Sequence, residues 1–140
     1  MDLLALERTL TELDHVRILN LVRRYRRVEV PAAPRLPIED VLDTCSIVPS
    51  RQAPPDVVTM YTQVALRDVE SGESSKVALC YPADAEPTAG FVSVLSPIGA
   101  GLLGLGLGAI AHWRTPAGEE RVAEIVAILF QPESSGDYTT

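Results

Sequence analysis

The chain is poor in the residues on which enzyme chemistry most often rests. Its 140 residues include two histidines and two cysteines. His15 stands beside Asp14 on a helical pattern, where adjacent residues point apart. His112 precedes Trp113 on a strand pattern and reads as a packing residue. No pair of histidines has metal-ligand spacing, and Cys45 and Cys80 match no metal motif. This cysteine usage fits a reducing, cytoplasmic setting. No serine sits in a nucleophile elbow. Glu119 and Glu120 follow the turn at Gly118 and read as a solvated corner. Catalysis, metals and cofactors are therefore not expected. No apolar run reaches the ~18 residues that a membrane span needs. No basic region followed by an apolar core and cleavage site opens the chain, so no secretory signal is expected. A net positive charge is missing too. At −7, the chain is not expected to grip nucleic acid by itself.

What is present suffices for a core. Apolar residues make up 46% of the chain, and its length fits one domain, or one domain with an appendage. Charge is unevenly spread: residues 1–36 carry +2, residues 37–56 carry −3 and residues 57–140 carry −6. Two parts with different faces follow from that asymmetry.

The organising stretch is residues 91–108, FVSVLSPIGAGLLGLGLG. A short apolar strand runs into Ser96-Pro97. Ser96 is suited to cap a helix and Pro97 to begin it. One or two helical turns follow, and Gly104 ends them, since glycine tolerates the left-handed conformation. Gly99, Gly101 and Gly104 match a dinucleotide-binding fingerprint in spacing. That motif needs a full helix within a βαβ unit, whereas Gly106 and Gly108 stop the helix here. The glycines are better read as sites of close backbone approach.

Residues 2–10 fit either a helix or an extended lead-in. Thr11 and Asp14 resemble a capping box. From Glu12 to about Arg27 the pattern is helical, with Leu13, Val16, Leu19 and Val22 on one stripe, widened by Ile18 and Tyr25. Arg23, Arg24, Arg26 and Arg27 crowd its end, either complementing the helix dipole or presenting a face to an acidic protein. Pro31 and Pro34 end this helix, and Pro37 starts a second one carrying Ile38, Val41, Leu42 and Cys45. The spacing predicts an antiparallel helical hairpin over residues 1–48 that packs against itself. A proline-rich linker, residues 49–56, leads to residues 57–140. Strands are expected over Met60–Leu66, Val77–Tyr81, Phe91–Leu95, Ala109–Thr115 and Arg121–Phe130, with a polar tail. The fold class is α+β: a short helical hairpin, then an antiparallel sheet with one small helix.

Several segments together resemble the GreA/GreB family of transcription factors. They are the hairpin, DVVTM (56–60), YPAD (81–84), SVLSPIGAGLLGL (93–105), HW (112–113), TPAG (115–118) and QPESSGDY (131–138). The resemblance spans about residues 11–140. DVVTM and the QPE…GDY tail point to the branch of that family named as regulators of nucleoside diphosphate kinase. It implies a coiled-coil hairpin joined to an FKBP-like domain, and RNA polymerase as partner, bound at its secondary channel. It also implies competition with Gre-type factors, DNA contact only through polymerase, no membrane role and a monomer. By the family pattern, Leu95, Ser96, Pro97, Ile98 and Gly99 touch the polymerase. The hairpin tip and basic patch comprise Arg23, Arg24, Arg26, Arg27 and Glu29.

The chain departs from the cleavage factors of this family in telling ways. Leu95 is apolar where they tend to carry a polar residue, and Gly106 and Ala109 stand where they often carry a basic and an acidic one. Their hairpin tips bear acids that help hold a metal ion, whereas the tip here offers Glu29 among arginines and prolines. About sixteen helical residues at ~1.5 Å each give an arm of only ~24 Å. Polymerase binding without transcript cleavage is therefore expected. Direct binding to a metabolic enzyme such as a kinase is the second reading. Proline isomerisation, which the FKBP likeness raises, is the third. One tryptophan, two phenylalanines and four tyrosines are few to wall a proline pocket.

Overall fold

The computed structural model describes residues 8–29, 36–115 and 117–136, apart from the side chains of Val28 and Glu29. The expectations for residues 2–7, Glu29 as a tip acid, Pro31, Pro34 and the last residues of the tail lie outside that description.

The first described element is strand β1 (Thr9–Thr11), which passes directly into α1 (Glu12–Arg24). Thr11 caps this helix by accepting the Asp14 backbone N–H at 3.1 Å. A π-helical turn, Tyr25–Glu29, extends it. The second helix, α2 (Pro37–Thr44), starts on proline, and the Glu39 carboxylate reaches back to accept the Leu36 N–H at 2.6 Å. Strand β2 (Ser46–Val48) follows and pairs with β1 in parallel, Leu10 opposite Ile47. The sequence pattern did not point to this two-stranded sheet, because three residues are too few to show a period.

The remaining strands are β3 (Gln63–Asp68), β4 (Ser74–Cys80), β5 (Phe91–Ser93), β6 (Ile110–Arg114) and β7 (Glu120–Phe130). They form one sheet in the order β5-β4-β3-β7-β6. The expectation of a purely antiparallel sheet needs correction, for β5 runs parallel to β4, with Leu79 opposite Val92. Residues 81–90 form the longer connection that a parallel pair requires. The sheet carries irregularities where β3 meets β7, at Gln63/Val64 and Ala65/Leu66.

The strand expected from Met60 starts later, at Gln63. Tyr61 adopts φ +63°, the left-handed region, and the Thr62 N–H donates to the Thr59 carbonyl at 3.1 Å. Met60, Thr62, Val64 and Leu66 are nevertheless all buried, so the alternation reports burial correctly while its first half is a turn.

The helical stripe also needs correction. Val16 is 54% exposed, whereas Asp14, Ile18 and Val22 are the buried residues of α1. The face is rotated because α1 packs on the sheet as well as on α2. Ile18, Val22, Ile38 and Leu42 share one buried cluster with Val64, Leu79, Leu103 and Ile125. The helices therefore do not pack only against one another. His15 Nε2 lies 3.2 Å from the Leu42 carbonyl, and Arg26 meets Glu39, so the start of α1 faces the end of α2 and the reverse.

Candidate functional site

The small helix α3 (Pro97–Leu102) sits where the sequence pattern expects it. Ser96 has extended geometry and accepts the Gly99 N–H at 3.2 Å, while its own hydroxyl donates to the Ser93 carbonyl at 2.6 Å. Ser93 Oγ accepts the Leu95 N–H at 3.1 Å. The corner is thus held on both sides. Leu95, Ser96, Pro97 and Ile98 are half-buried rather than fully exposed. Gly99 is buried, and a Cβ built there would lie 2.0 Å from the Ser93 carbonyl oxygen. It brings α3 against the preceding strand and has no surface of its own.

The far end of α3 is closed by a residue the sequence pattern did not single out. Arg8 Nη1 donates to the carbonyls of Ala100 at 2.6 Å and Leu103 at 3.0 Å. A guanidinium on the last carbonyls of a helix satisfies orphan acceptors and opposes the dipole. Burial lowers the Arg8 pKa. Gly104, at φ +82°, ends the turn, and a Cβ there would press on Leu10 and Arg8. The Thr9 N–H donates to its carbonyl at 3.0 Å.

The arginine cluster does not act as one patch. Arg26 forms a fork with the Glu39 carboxylate, at 2.9 and 2.5 Å. Arg24 lines a cleft beside Tyr81, on the side of α1 toward β5. Arg23 and Arg27 are exposed. The site residues named from sequence therefore fall into two groups, the α3 corner and the end of α1. Leu95 and Arg24 line opposite walls of the same cleft.

Two polar side chains whose distant partners sequence reasoning did not foresee fix the start of α1 and the segment before β3. Asp14 is buried and accepts the Met60 N–H on Oδ2 at 3.1 Å. Burial first, and then the charge of Glu133, raise its pKa to about 6, against the Met60 hydrogen bond and Arg17. Its position four and eight residues before Ile18 and Val22 was the available signal. Gln131 is also buried, and its amide donates to the carbonyls of Pro54 at 2.8 Å and Val57 at 2.7 Å. The Thr59 hydroxyl donates to Glu133 at 2.6 Å. The two segments read from sequence as the mark of one branch, DVVTM and QPE, are therefore bonded to each other.

Among the described residues, no group of three His, Cys, Asp or Glu side chains is placed to hold a metal ion. No described helix is long and apolar enough to cross a membrane.

Comparison with known proteins agrees with this architecture. Residues 53–130 match the family model described as transcription elongation factor, GreA/GreB, C-terminal. The chain belongs to the GreA/GreB family. It is 38% identical over 115 residues to the regulator of nucleoside diphosphate kinase of Escherichia coli K12, covering 79% of this chain and 85% of that protein. It is 35% identical over 81 residues to transcription elongation factor GreA of Chloroherpeton thalassium, covering 58% of this chain and 51% of that factor. A solved GreA/GreB elongation factor from Nitrosomonas europaea superposes with a TM-score of 0.70 at 29% identity, covering 89% of this chain and all of that one. Kinship thus places the chain among regulators resembling transcription elongation factors.

Proposed function

We propose that this chain is a regulator that binds RNA polymerase at its secondary channel and does not stimulate transcript cleavage. The α3 corner, Leu95 to Ile98, meets the polymerase, and Gly99 supports it from beneath. On this reading, residues 57–140 are the holding unit, of FKBP-like kind, and residues 1–48 are the arm, joined by residues 49–56. Its effect on nucleoside diphosphate kinase runs through transcription rather than through direct contact with the kinase.

One observation carries the non-cleaving part. Glu39, the first acid of α2 after the hairpin bend, is held by Arg26 and by the Leu36 N–H. A metal-assisted cleavage role needs carboxylates free to enter coordination. The arm is also short. Thirteen α-helical residues precede the five of the π turn. The start of α1 is fastened to the sheet unit through Asp14 and Met60. The protein acts by occupying the channel mouth.

Three measurements test this. Pull-down from lysate should recover polymerase subunits above nucleoside diphosphate kinase, and the reverse order would replace this reading with direct kinase binding. A backtracked elongation complex incubated with the protein and Mg²⁺ should release no short 3′ RNA above the polymerase-only rate, and should be cleaved more slowly by an added Gre factor. A folded Ser96→Ala/Pro97→Ala variant that retains full polymerase affinity would remove the corner from the binding face.

A further inference from the structure

A second site stands beside the corner. Between α1 and the β4–β5 edge lies an open cleft of about 810 Å³. Arg17, Asn20, Arg24 and Tyr25 line it from the first helical run, and Tyr81 and Leu95 from the sheet side. The chain carries nineteen acids and a net charge of −7, yet both charged residues lining this cleft are arginines. The apolar part, Leu95 with the two tyrosine rings, offers flat surface.

Tyr81 adds an independent observation. Its hydroxyl is buried and donates to no acceptor among the described residues. Burial, and then the negative charge of Asp14, push the phenol up to about 12, against the pull of Arg17. A phenol at that pKa stays protonated and is a donor in need of an acceptor. Arg17 only donates, so it does not fill that need. The Asp14 oxygen Oδ2 is turned to the Met60 N–H instead. A buried polar group left this way costs stability, and that cost is recovered when an acceptor arrives. Arg17, which stands beside this hydroxyl, is exposed and lines the cleft.

We propose that this cleft binds a small ligand carrying an oxyanion on a flat ring, a nucleotide being the kind that suits its size. The oxyanion lies between Arg17 and Arg24 with Asn20 and the Tyr81 hydroxyl, and the ring lies against Tyr25 and Leu95. Cavities of this volume fall within the range of small-molecule sites. Guanidinium groups suit phosphate and carboxylate geometry equally. Both sources therefore enter the test.

The test is isothermal titration calorimetry of the full chain with ADP, inorganic pyrophosphate, 4-hydroxybenzoate and adenosine. Binding of ADP or 4-hydroxybenzoate, with adenosine roughly tenfold weaker or undetectable, is the expected result. Whichever of the two binds identifies the oxyanion as phosphate or carboxylate. Pyrophosphate binding as tightly as ADP would overturn the role of the flat wall. Tyr81→Phe should weaken the ligand several-fold while leaving the thermal midpoint unchanged or higher, since it deletes a hydroxyl without an acceptor. Arg24→Gln, at an exposed position, should weaken it roughly tenfold. Lys76→Gln, which removes an exposed cation outside the cleft, should leave it unchanged. Failure of every probe at millimolar concentration would overturn the site, as would equal losses in Lys76→Gln and Arg24→Gln. Loss of polymerase recovery in Tyr81→Phe or Arg24→Gln without binding of any probe would assign the cleft to the polymerase face instead. The titrations need no polymerase, so they stand or fall apart from the proposed function.

Discussion

The Met60 backbone N–H donates to the Asp14 carboxylate at 3.1 Å, across 46 positions of sequence. This bond joins the first turn of α1 to the left-handed bend at Tyr61, and it does so in the interior. A carboxylate there pays for desolvation, which is why its pKa rises to about 6 from 3.8.

The sign of the consequence follows directly. An acid with a raised folded pKa holds its proton more tightly folded than unfolded. Stability therefore falls as pH rises between about 4 and 6, and the full penalty, on the order of 3 kcal/mol, is present at neutral pH. Glu133 faces the same carboxylate and steepens the effect, while Arg17 reduces it. Asp14→Asn keeps an acceptor for Met60 and removes the charge. Its thermal midpoint should exceed that of the parent at pH 7.5 and converge with it near pH 3.5. Parallel pH profiles for the two proteins would refute the assignment.

Gly99→Ala should unfold or severely destabilise the chain, by more than about 2 kcal/mol in urea denaturation. The new methyl meets backbone at Ser93, which cannot rotate away as a side chain would. Any loss of polymerase binding in this variant is accordingly a loss of fold.

Gln131→Ala should cost about 2 kcal/mol, because the carbonyls of Pro54 and Val57 lose their donor inside the protein. Amide exchange should speed up most at residues 54–62. An exchange increase confined to residues 131–136 would contradict the tie between the two segments.

Arg8→Ala should cost about 1–2 kcal/mol by freeing the Ala100 and Leu103 carbonyls. Arg8→Lys should recover only part of it, since the lysine side chain is one bond shorter and its ammonium lacks the fixed planar geometry of the guanidinium. Full recovery by lysine would show that charge alone closes the helix.

The corner was legible in the sequence because Ser96-Pro97 and Gly104 act locally, through a cap, a fixed φ and a left-handed turn. The second helix was legible because Ile38, Val41 and Leu42 meet the core on a single stripe. The stripe on α1 was misjudged because it includes Asp14, which hydrophobic periodicity treats as surface. The parallel β4–β5 pair was missed because pairing direction depends on where the connection travels, not on the residues of either strand. At the proposed sites, the basic cluster could be seen but not its division. Whether Arg26 turns to Glu39 or Arg24 to the cleft depends on the packing of α1 against α2 and β5. The bonds of Arg8 and Gln131 carried no local signal, since their partners lie far along the chain, and nothing in YPAD marks the Tyr81 hydroxyl as buried.

The parallel pairing of β1 and β2 sets how the helical pair is mounted. Both of its ends are clamped side by side, and the β1 strand is pinned again where Thr9 meets Gly104 and Arg8 meets α3. Mechanically, the pair is a bracket fastened at its root and laid along the sheet. It does not hang on residues 49–56 as on a hinge, because the chain is already anchored before that segment begins. That root meets α3 at the end away from the Ser96-Pro97 corner, through Arg8 on Ala100 and Leu103, while Arg24 and Tyr25 at the far end of the first helical run share a cleft with Leu95 beside the corner.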